Sequence, residues 1–536
     1  MVETQVVIVG SGPSGLACAL ELGHRGIRCI VVEQHERVGQ NPRAKTTNVR
    51  TREHLRRWGI ADALREASTL PADYPSNIVF ATSMNGPLLA RIENAFYCCP
   101  DRNDHYSESG QWVPQYLIEE VMRRRAESFP NVSFRFSQRL TDVEQSEDGA
   151  KAVFVHTETG AESAIHSEYI IGADGGRSTL RKLMGTTMTG KPAKYRNFNV
   201  VLRAPTLAQM HPLGPAIQYW LVNNEAPCLF GPMDGVDRWY FMATKIDPDL
   251  DPESVDVCDM IRRSTGIDFE MEIVGSVDPW FAHSLIADKY SDRRLFLAGD
   301  ACHLHVPFGG FGMNMGIADG VDLGWKMAAT LQGWGGTQLL DTYETERRPV
   351  HLRVLNEANA NYVKVANEFN RPNLDAAGPE AEALRKEVGE EIVAEKTREF
   401  RALGVVLGYR YHGSPTIIPD GTEPPVEHFK NYVPSAHPGC LAPHAWLKDG
   451  SSLYDHFGQG FTLLMTNGSR PEVVEPVVQA AGKSGVPLKV LAPKDDRLKD
   501  LYQAQFVMIR PDQHVSWRGD EIPDCAEQLL NTIRGA

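Results

Sequence analysis

Apolar residues open the chain as a strand pattern over residues 5–9. A glycine turn follows, Gly10-Ser11-Gly12-Pro13-Ser14-Gly15, and then a helical pattern and a second apolar strand at 29–32 that ends in Glu33 and Gln34. Strand, glycine turn, helix, strand and acid in that order predict a mononucleotide-binding βαβ unit. Beyond a polar stretch, the periodicity predicts helices over 52–64 and 112–128, the second with Pro114 near its start. Alternation over 132–171 predicts short strands, the last running into Gly172-Ala173-Asp174-Gly175-Gly176. A second set of strands is expected at 199–202, 216–222, 239–244 and 272–277, with a helix near 254–263 between them. They read as a mostly antiparallel layer inserted into the first domain.

An apolar strand at 295–298 returns the chain to nucleotide-type sequence, and a helix is expected from 314 to 331. Helices fill 337–403. Residues 404–445 are rich in Pro, Gly and His and read as a linker. From 446 onward the pattern is a small βαβαββα unit. The fold class expected is therefore mixed α/β and α+β. A Rossmann-like nucleotide domain (1–185 and 291–403) holds an inserted substrate-binding β-sheet domain (186–290), and a third domain covers 446–536.

Composition narrows the function. Of 536 residues, 42% are apolar and 23% charged, a globular profile. A net charge of −14 argues against nucleic acid as partner, and Arg123, Arg124 and Arg125 read as a solvated helix face. No apolar run reaches the roughly eighteen residues of a membrane span. The first strand starts too early to leave room for a signal peptide, so a cytoplasmic location is expected. Nine scattered cysteines without a CxxC fit a reduced chain with neither disulfide framework nor zinc site.

Three glycine-rich segments carry the chemistry. In the first, Gly10 permits a tight turn, Gly12 lets backbone approach a pyrophosphate, and Gly15 lets helix and strand pack closely. The helix N-terminus then faces phosphates, and Glu33 is placed for ribose hydroxyls. This loop suits NAD and FAD equally. The second segment is 172–178. The third runs from Gly299-Asp300 through His303, His305, Pro307, Gly309, Gly310, Gly312, Met313 and Asn314 to Asp319. Asp300 sits at a strand's C-terminal edge, where open sheets bind ligands. The glycine-rich loop before the helix admits a flat ligand close to the backbone, and the helix dipole favours developing negative charge.

In this combination the chain resembles the FAD-dependent aromatic hydroxylases, the single-component flavoprotein monooxygenases typified by para-hydroxybenzoate hydroxylase. LAGDACHLHVPFGGFGMNMGIADGVDLGWKMAA is similar to the family's Gly-Asp region throughout. PGCLAPHAWL, GQGFTLL and VMIRPDQHVSW resemble the phenol, chlorophenol and polyketide hydroxylase branch, which carries a thioredoxin-like C-terminal domain. The resemblance implies resident, non-covalent FAD and NAD(P)H as a transient reductant. It implies that Gly10, Gly12, Pro13, Ser14, Gly15, Glu33 and Gln34 hold the ADP half. Arg43 would lie near the pyrophosphate, Gln115 on the flavin chain, and Asp174 and Gly175 in the motif shared by FAD and NAD(P)H. Asp300 would bind the ribityl chain, and Gly310, Gly312, Met313 and Asn314 the flavin ring. Pro307 would lie at the reactive edge, facing both flavin and substrate. The activity implied is hydroxylation of a phenolic or other electron-rich ring by O2 through a flavin hydroperoxide.

Alternatives stay open at this point. Baeyer–Villiger insertion or epoxidation on a polyketide-like substrate would use the same motifs. A flavin halogenase is disfavoured by the absence of its WxWxIP motif, and a non-catalytic FAD carrier by the intact Gly-Asp segments. His303 and His305 at i, i+2 could suggest a metal, but no partnering Cys or acid cluster supports one, so none is expected. His305 is a candidate catalytic residue through its closeness to Pro307. Tyr219 and Tyr240 are candidate substrate contacts on the middle strands. Cys440 and Cys525 are too far apart for redox pairing, so the C-terminal domain is expected to serve packing or homodimerisation.

Overall fold

The structure, a computed structural model, describes residues 3–36, 44–246, 249, 254–466, 468 and 471–536. Its first sheet is parallel at the centre. Thr4–Val9 lies between Cys29–Val32 and Glu162–Gly172, and Leu295–Leu297 adds beyond the latter in parallel register. Val132–Arg135 closes the other side. These strands are apolar because they are covered by the helices Pro13–His24, Gln115–Glu127 and Phe311–Leu331 and by apolar residues of the strands Gln138–Gln145 and Ala150–His156. One covering pair is Pro13–His24 with Phe311–Leu331, packed along small residues.

The middle sheet has seven strands in the order Glu272–Phe281, Arg196–Arg203, Arg238–Ile246, Cys228–Pro232, Gln218–Leu221, Ile78–Ala81 and Leu88–Ile92. Its last two strands come from ahead of the 196–281 stretch. The pleat separates its side chains into two apolar layers. Trp220, Tyr240, Val201 and Phe80 share one layer with Phe308. Tyr219, Trp239, Phe230 and Phe241 fill the other, with Ile261 of the helix Val257–Thr265.

The expected helix at 52–64 is two helices, Val49–Arg57 and Ala61–Glu66. Gly59 breaks it at φ +75°, while the buried Trp58 donates its indole N–H to Glu21 at 3.0 Å. The expected helix at 112–128 starts at Gln115, because Trp112 is taken by a short strand paired with Thr46–Thr47.

The C-terminal sheet runs Leu488–Leu491, Phe461–Met465, Phe506–Ile509, Val515–Gly519, the first pair parallel and the others antiparallel. Its turn at 510–514 is buried against the nucleotide domain. Arg510 forks onto Glu346 at 2.7 and 2.8 Å and reaches Asp322 at 3.2 Å and Asp512 at 2.8 Å. Lys326 bonds Asp322 and Glu346 from the other side, and Arg50 donates to the Asp512 carbonyl at 2.7 Å. Among the described residues no helix is long and apolar enough to cross a membrane.

Candidate functional site

The three glycine segments, nearly three hundred residues apart in sequence, meet at the C-terminal edge of the parallel sheet. Gly10, at φ +102°, has no room for a side chain: a Cβ there would lie 2.3 Å from the Ala173 carbonyl oxygen of the second segment. Ser14 fills the gap to the third segment, since a Cβ on Gly299 or Gly316 would fall 2.1 or 2.2 Å from its hydroxyl. Gly12 and Gly312 instead face open space. Both neighbouring helices begin without a side-chain cap, Pro13–His24 after Gly12 and Phe311–Leu331 after Gly310. Their first-turn N–H groups are therefore left for a ligand.

Glu33 ends its strand beside this loop, half-buried, and accepts from Ser11 N at 2.9 Å. Gln34 is exposed next to it. Arg43 lies outside the described residues. Gln115 accepts from Ala44 N at 3.1 Å and so steadies the segment that follows Arg43. Asp174 spends its carboxylate on a helix start, accepting from Ser178 Oγ, Thr179 N and Leu180 N at 2.5, 2.7 and 3.1 Å, after Gly175 turns the chain at φ +78°. Asp300 is exposed in the turn after Leu295–Leu297.

Behind that turn lies a buried cluster that sequence reasoning missed. Asp319 accepts from Gly299 N at 3.0 Å, His303 Nε2 at 2.7 Å, Arg347 Nε at 2.9 Å and His351 Nε2 at 2.9 Å. Burial alone would raise its carboxyl, but His351, His303 and Arg347 hold it well below the usual range. Burial pushes His351 down to about 3, so its ring is neutral, with Nδ1 accepting from Tyr290 OH at 2.7 Å. His305 turns into this cluster, its Nδ1 3.2 Å from that of His303, and burial pulls it well down too. Its ring is therefore engaged behind the Gly-Asp turn, while Pro307 is exposed on the loop beyond.

The sequence offered no acid beside His303, yet the fold supplies one: ligand atoms of Cys302, His303 and Asp319 lie within 4.8 Å of one another. The donor set does not suit a metal. Asp319 is already shared by an arginine and two histidines, and burial holds the Cys302 thiol protonated, well above its ordinary pKa.

In front of the third segment, Asn314 clamps the chain after Arg43. Its side chain donates to Thr46 O at 2.9 Å and accepts from Asn48 N at 3.0 Å, leaving its own backbone, with that of Met313 and Gly312, at the helix start. Gly310 sits against Thr46. Phe308 packs on Trp220 at 6.0 Å and Tyr362 at 5.1 Å. Tyr240 lies on this face, 6.3 Å from Trp112. Tyr219 does not: it belongs to the opposite layer, where its hydroxyl donates to Gly214 O at 2.6 Å. Alternation gives the near face to Trp220 instead. A cavity of about 380 Å³ counts Tyr74, Tyr106, Trp112, Ile217, Arg52 and Arg65 among its walls.

Comparison with known proteins agrees with this geometry. Residues 3–358 match the family described as FAD binding domain, and residues 435–536 match the aromatic-ring hydroxylase C-terminal family. The FAD-dependent monooxygenase apdD of Emericella nidulans is 31% identical over 96% of this chain and 88% of its own. The phenol 2-monooxygenase of Pseudomonas sp. (strain EST1001) is 30% identical over 100% of this chain and 93% of its own. The solved structure of the rebeccamycin biosynthetic enzyme RebC with reduced flavin superposes with a TM-score of 0.89 at 34% identity, covering 100% and 99% of the two chains. The protein is thus a flavoprotein monooxygenase by class. The chain belongs to the FAD-binding aromatic-ring hydroxylase family. FAD suits the residues present: two uncapped helix N-termini, open space at Gly12 and Gly312, and Glu33 at the strand end.

Proposed function

We propose that the protein hydroxylates a phenolic or similarly electron-rich aromatic substrate with O2, using FAD as resident cofactor and NAD(P)H as transient reductant. The observation that carries this reading is the convergence of the three glycine segments beside the aromatic face of the middle sheet. When bound, FAD supplies the redox chemistry, taking electrons from NAD(P)H and activating O2.

The chain's own residues position and shield. Gly12, Ser14 and Gly15 present backbone N–H groups to the pyrophosphate on a turn shaped by Gly10 and Pro13, and Glu33 and Gln34 serve the adenosine ribose. Arg43 acts near the pyrophosphate and Gln115 on the flavin chain. Asp300 binds the ribityl chain from a turn that Asp319 holds through Gly299 N. Gly310, Gly312, Met313 and Asn314 offer main-chain groups to the ring system. Gly175 and Asp174 act through the turn that abuts Gly10. Pro307 faces the reacting edge, with His305 behind it. Tyr240, Trp220 and Phe308 line the dry face over which the aromatic ring lies and exclude water from it.

The order of the C-terminal strands and their helices supports a thioredoxin-like arrangement without redox cysteines. We assign it to packing, and the 186–290 region to substrate choice. The test is a screen of phenols and polyketide aromatics for NAD(P)H oxidation, with products identified by mass. Gain of one oxygen on the ring is expected. No stimulation by any aromatic overturns the reading.

A further inference from the structure

Lys45 follows the undescribed segment 37–43 and precedes the two threonines that pair with Gln111–Trp112. Its backbone is held on both sides. Its carbonyl accepts from Val113 N at 2.7 Å, Ala44 N donates to Gln115, and Thr46 O accepts from Asn314. The residue is only 8% exposed. Its ammonium stands 4.0 Å from the centroid of the Tyr240 ring, on the face shared with Trp220 and Phe308. Among the described residues it has neither a carboxylate nor a hydrogen-bond acceptor, and residues 37–43 (RVGQNPR) contain no carboxylate.

A buried ammonium without a partner is costly, and contact with a ring face offsets only part of that cost. Other buried cations here are paired: Lys326 by two carboxylates, and Lys396 by Glu399 and two carbonyls. Burial lowers Lys45 to about 8, which leaves it mostly protonated at neutral pH. The group is therefore a cation awaiting an anion, placed between the cofactor loop and the aromatic face.

We propose that Lys45 anchors an acidic oxygen on the aromatic substrate, so that the enzyme selects rings bearing a phenolate or a carboxylate over neutral ones. This rests on the hydroxylase reading and sharpens its substrate class. The ammonium holds the anionic oxygen while Tyr240 and Trp112 flank the site. Tyr240 stands behind the wall of the cavity, its ring 6.3 Å from that of Trp112 and its hydroxyl 3.4 Å from Ile217 O, and the cavity itself is large enough for a small ring system.

The test titrates the FAD-loaded protein with 4-nitrophenol, 4-nitrobenzoate and nitrobenzene, following the flavin spectrum and the colour of bound 4-nitrophenolate. The wild type is expected to bind at least one anion more tightly than nitrobenzene. Lys45→Met should weaken that anion at least about tenfold and leave nitrobenzene within about twofold. Lys45→Arg should retain part of the preference. Whichever anion loses more identifies the group held. The proposal fails if the wild type shows no preference for an anion, a result that needs no variant to fold. It also fails if Lys45→Met weakens nitrobenzene equally, or if it releases FAD instead, which would make the cofactor the partner. Retained FAD and aromatic-stimulated NAD(P)H oxidation report separately on the hydroxylase reading, so the two can fall independently.

Discussion

Gly10 and Gly12 stand two residues apart and differ in kind. Gly10 is fixed by its own protein, at a positive φ and against Ala173, while Gly12 has an ordinary φ and nothing in front of it. Gly12→Val should leave the melting temperature within a few degrees and weaken FAD at least about tenfold, because the new side chain enters ligand space. Gly10→Ala should cost about 2 kcal/mol of stability as well as FAD, through strain and overlap. Flavin retention and thermal unfolding, measured side by side, separate the two. Glu21 offers a pH test. Burial would raise its carboxyl, but Arg57 and Arg25 overcome that and hold it at about 2. A depressed pKa stabilises the fold above the unfolded value near 4.5, and that contribution is lost as pH falls through about 2. Denaturant titrations should therefore show about 3 kcal/mol disappearing across that window, and Glu21→Gln should remove a similar amount at pH 7 with a flatter acid limb. The glycines were legible in sequence because turn chemistry is local. Lys45 and Asp319 were not, since their roles depend on burial and partners that spacing does not encode.

The helix Phe311–Leu331 does three jobs along its length. Its start faces the cofactor site, Asp319 in its middle holds the Gly-Asp turn, and Asp322 with Lys326 meets the C-terminal turn. One face carries Gly316, Gly320 and Gly324 at four-residue spacing, and a Cβ on the latter two would fall 2.6 Å from Ala17 Cβ and 2.7 Å from Glu21 Cβ. That spacing can be seen in the sequence, but the helix it packs against cannot. Gly320→Ala should cost about 1–3 kcal/mol and loosen FAD, because it drives apart the two helices that begin uncapped beside the glycine turns. Asp319→Asn removes the charge facing buried Arg347 and should cost about 3–5 kcal/mol, with FAD affinity falling through the released Gly299 N–H. Urea unfolding and flavin titration read both. The strands at 78–92 escaped sequence reading for a related reason. Ile78 pairs with Gln218, so what makes 78–81 part of this sheet lies far along the chain.

At the scale of the molecule, Arg510 joins the C-terminal domain to the rest through two carboxyl groups, Asp322 and Glu346, and is steadied by Asp512 of its own turn. The ion pairs of the turn at 510–514 were not legible in sequence, because nothing local marks that turn as buried against Glu346 and Asp322. Arg510→Ala should cost about 3–5 kcal/mol, because it leaves Glu346 and Asp322 buried with Lys326 alone. It should also speed limited proteolysis within 404–445, where little regular structure resists cleavage.

The parallel pairing of Thr4–Val9 with Glu162–Gly172, and of the latter with Leu295–Leu297, has a consequence for biosynthesis. As the chain leaves the ribosome, the first strand emerges with one neighbour close behind it and waits for the other. The cofactor's floor is complete only after residue 297 has been made. The buried carboxyl groups of Asp322 and Glu346 then wait for Arg510, which follows Glu346 by 164 residues. The floor under the glycine turns is therefore assembled late, a chain interrupted before Arg510 lacks the cation that Asp322 and Glu346 share, and faster loss of such a truncation than of the full chain is the expected outcome of a pulse-chase.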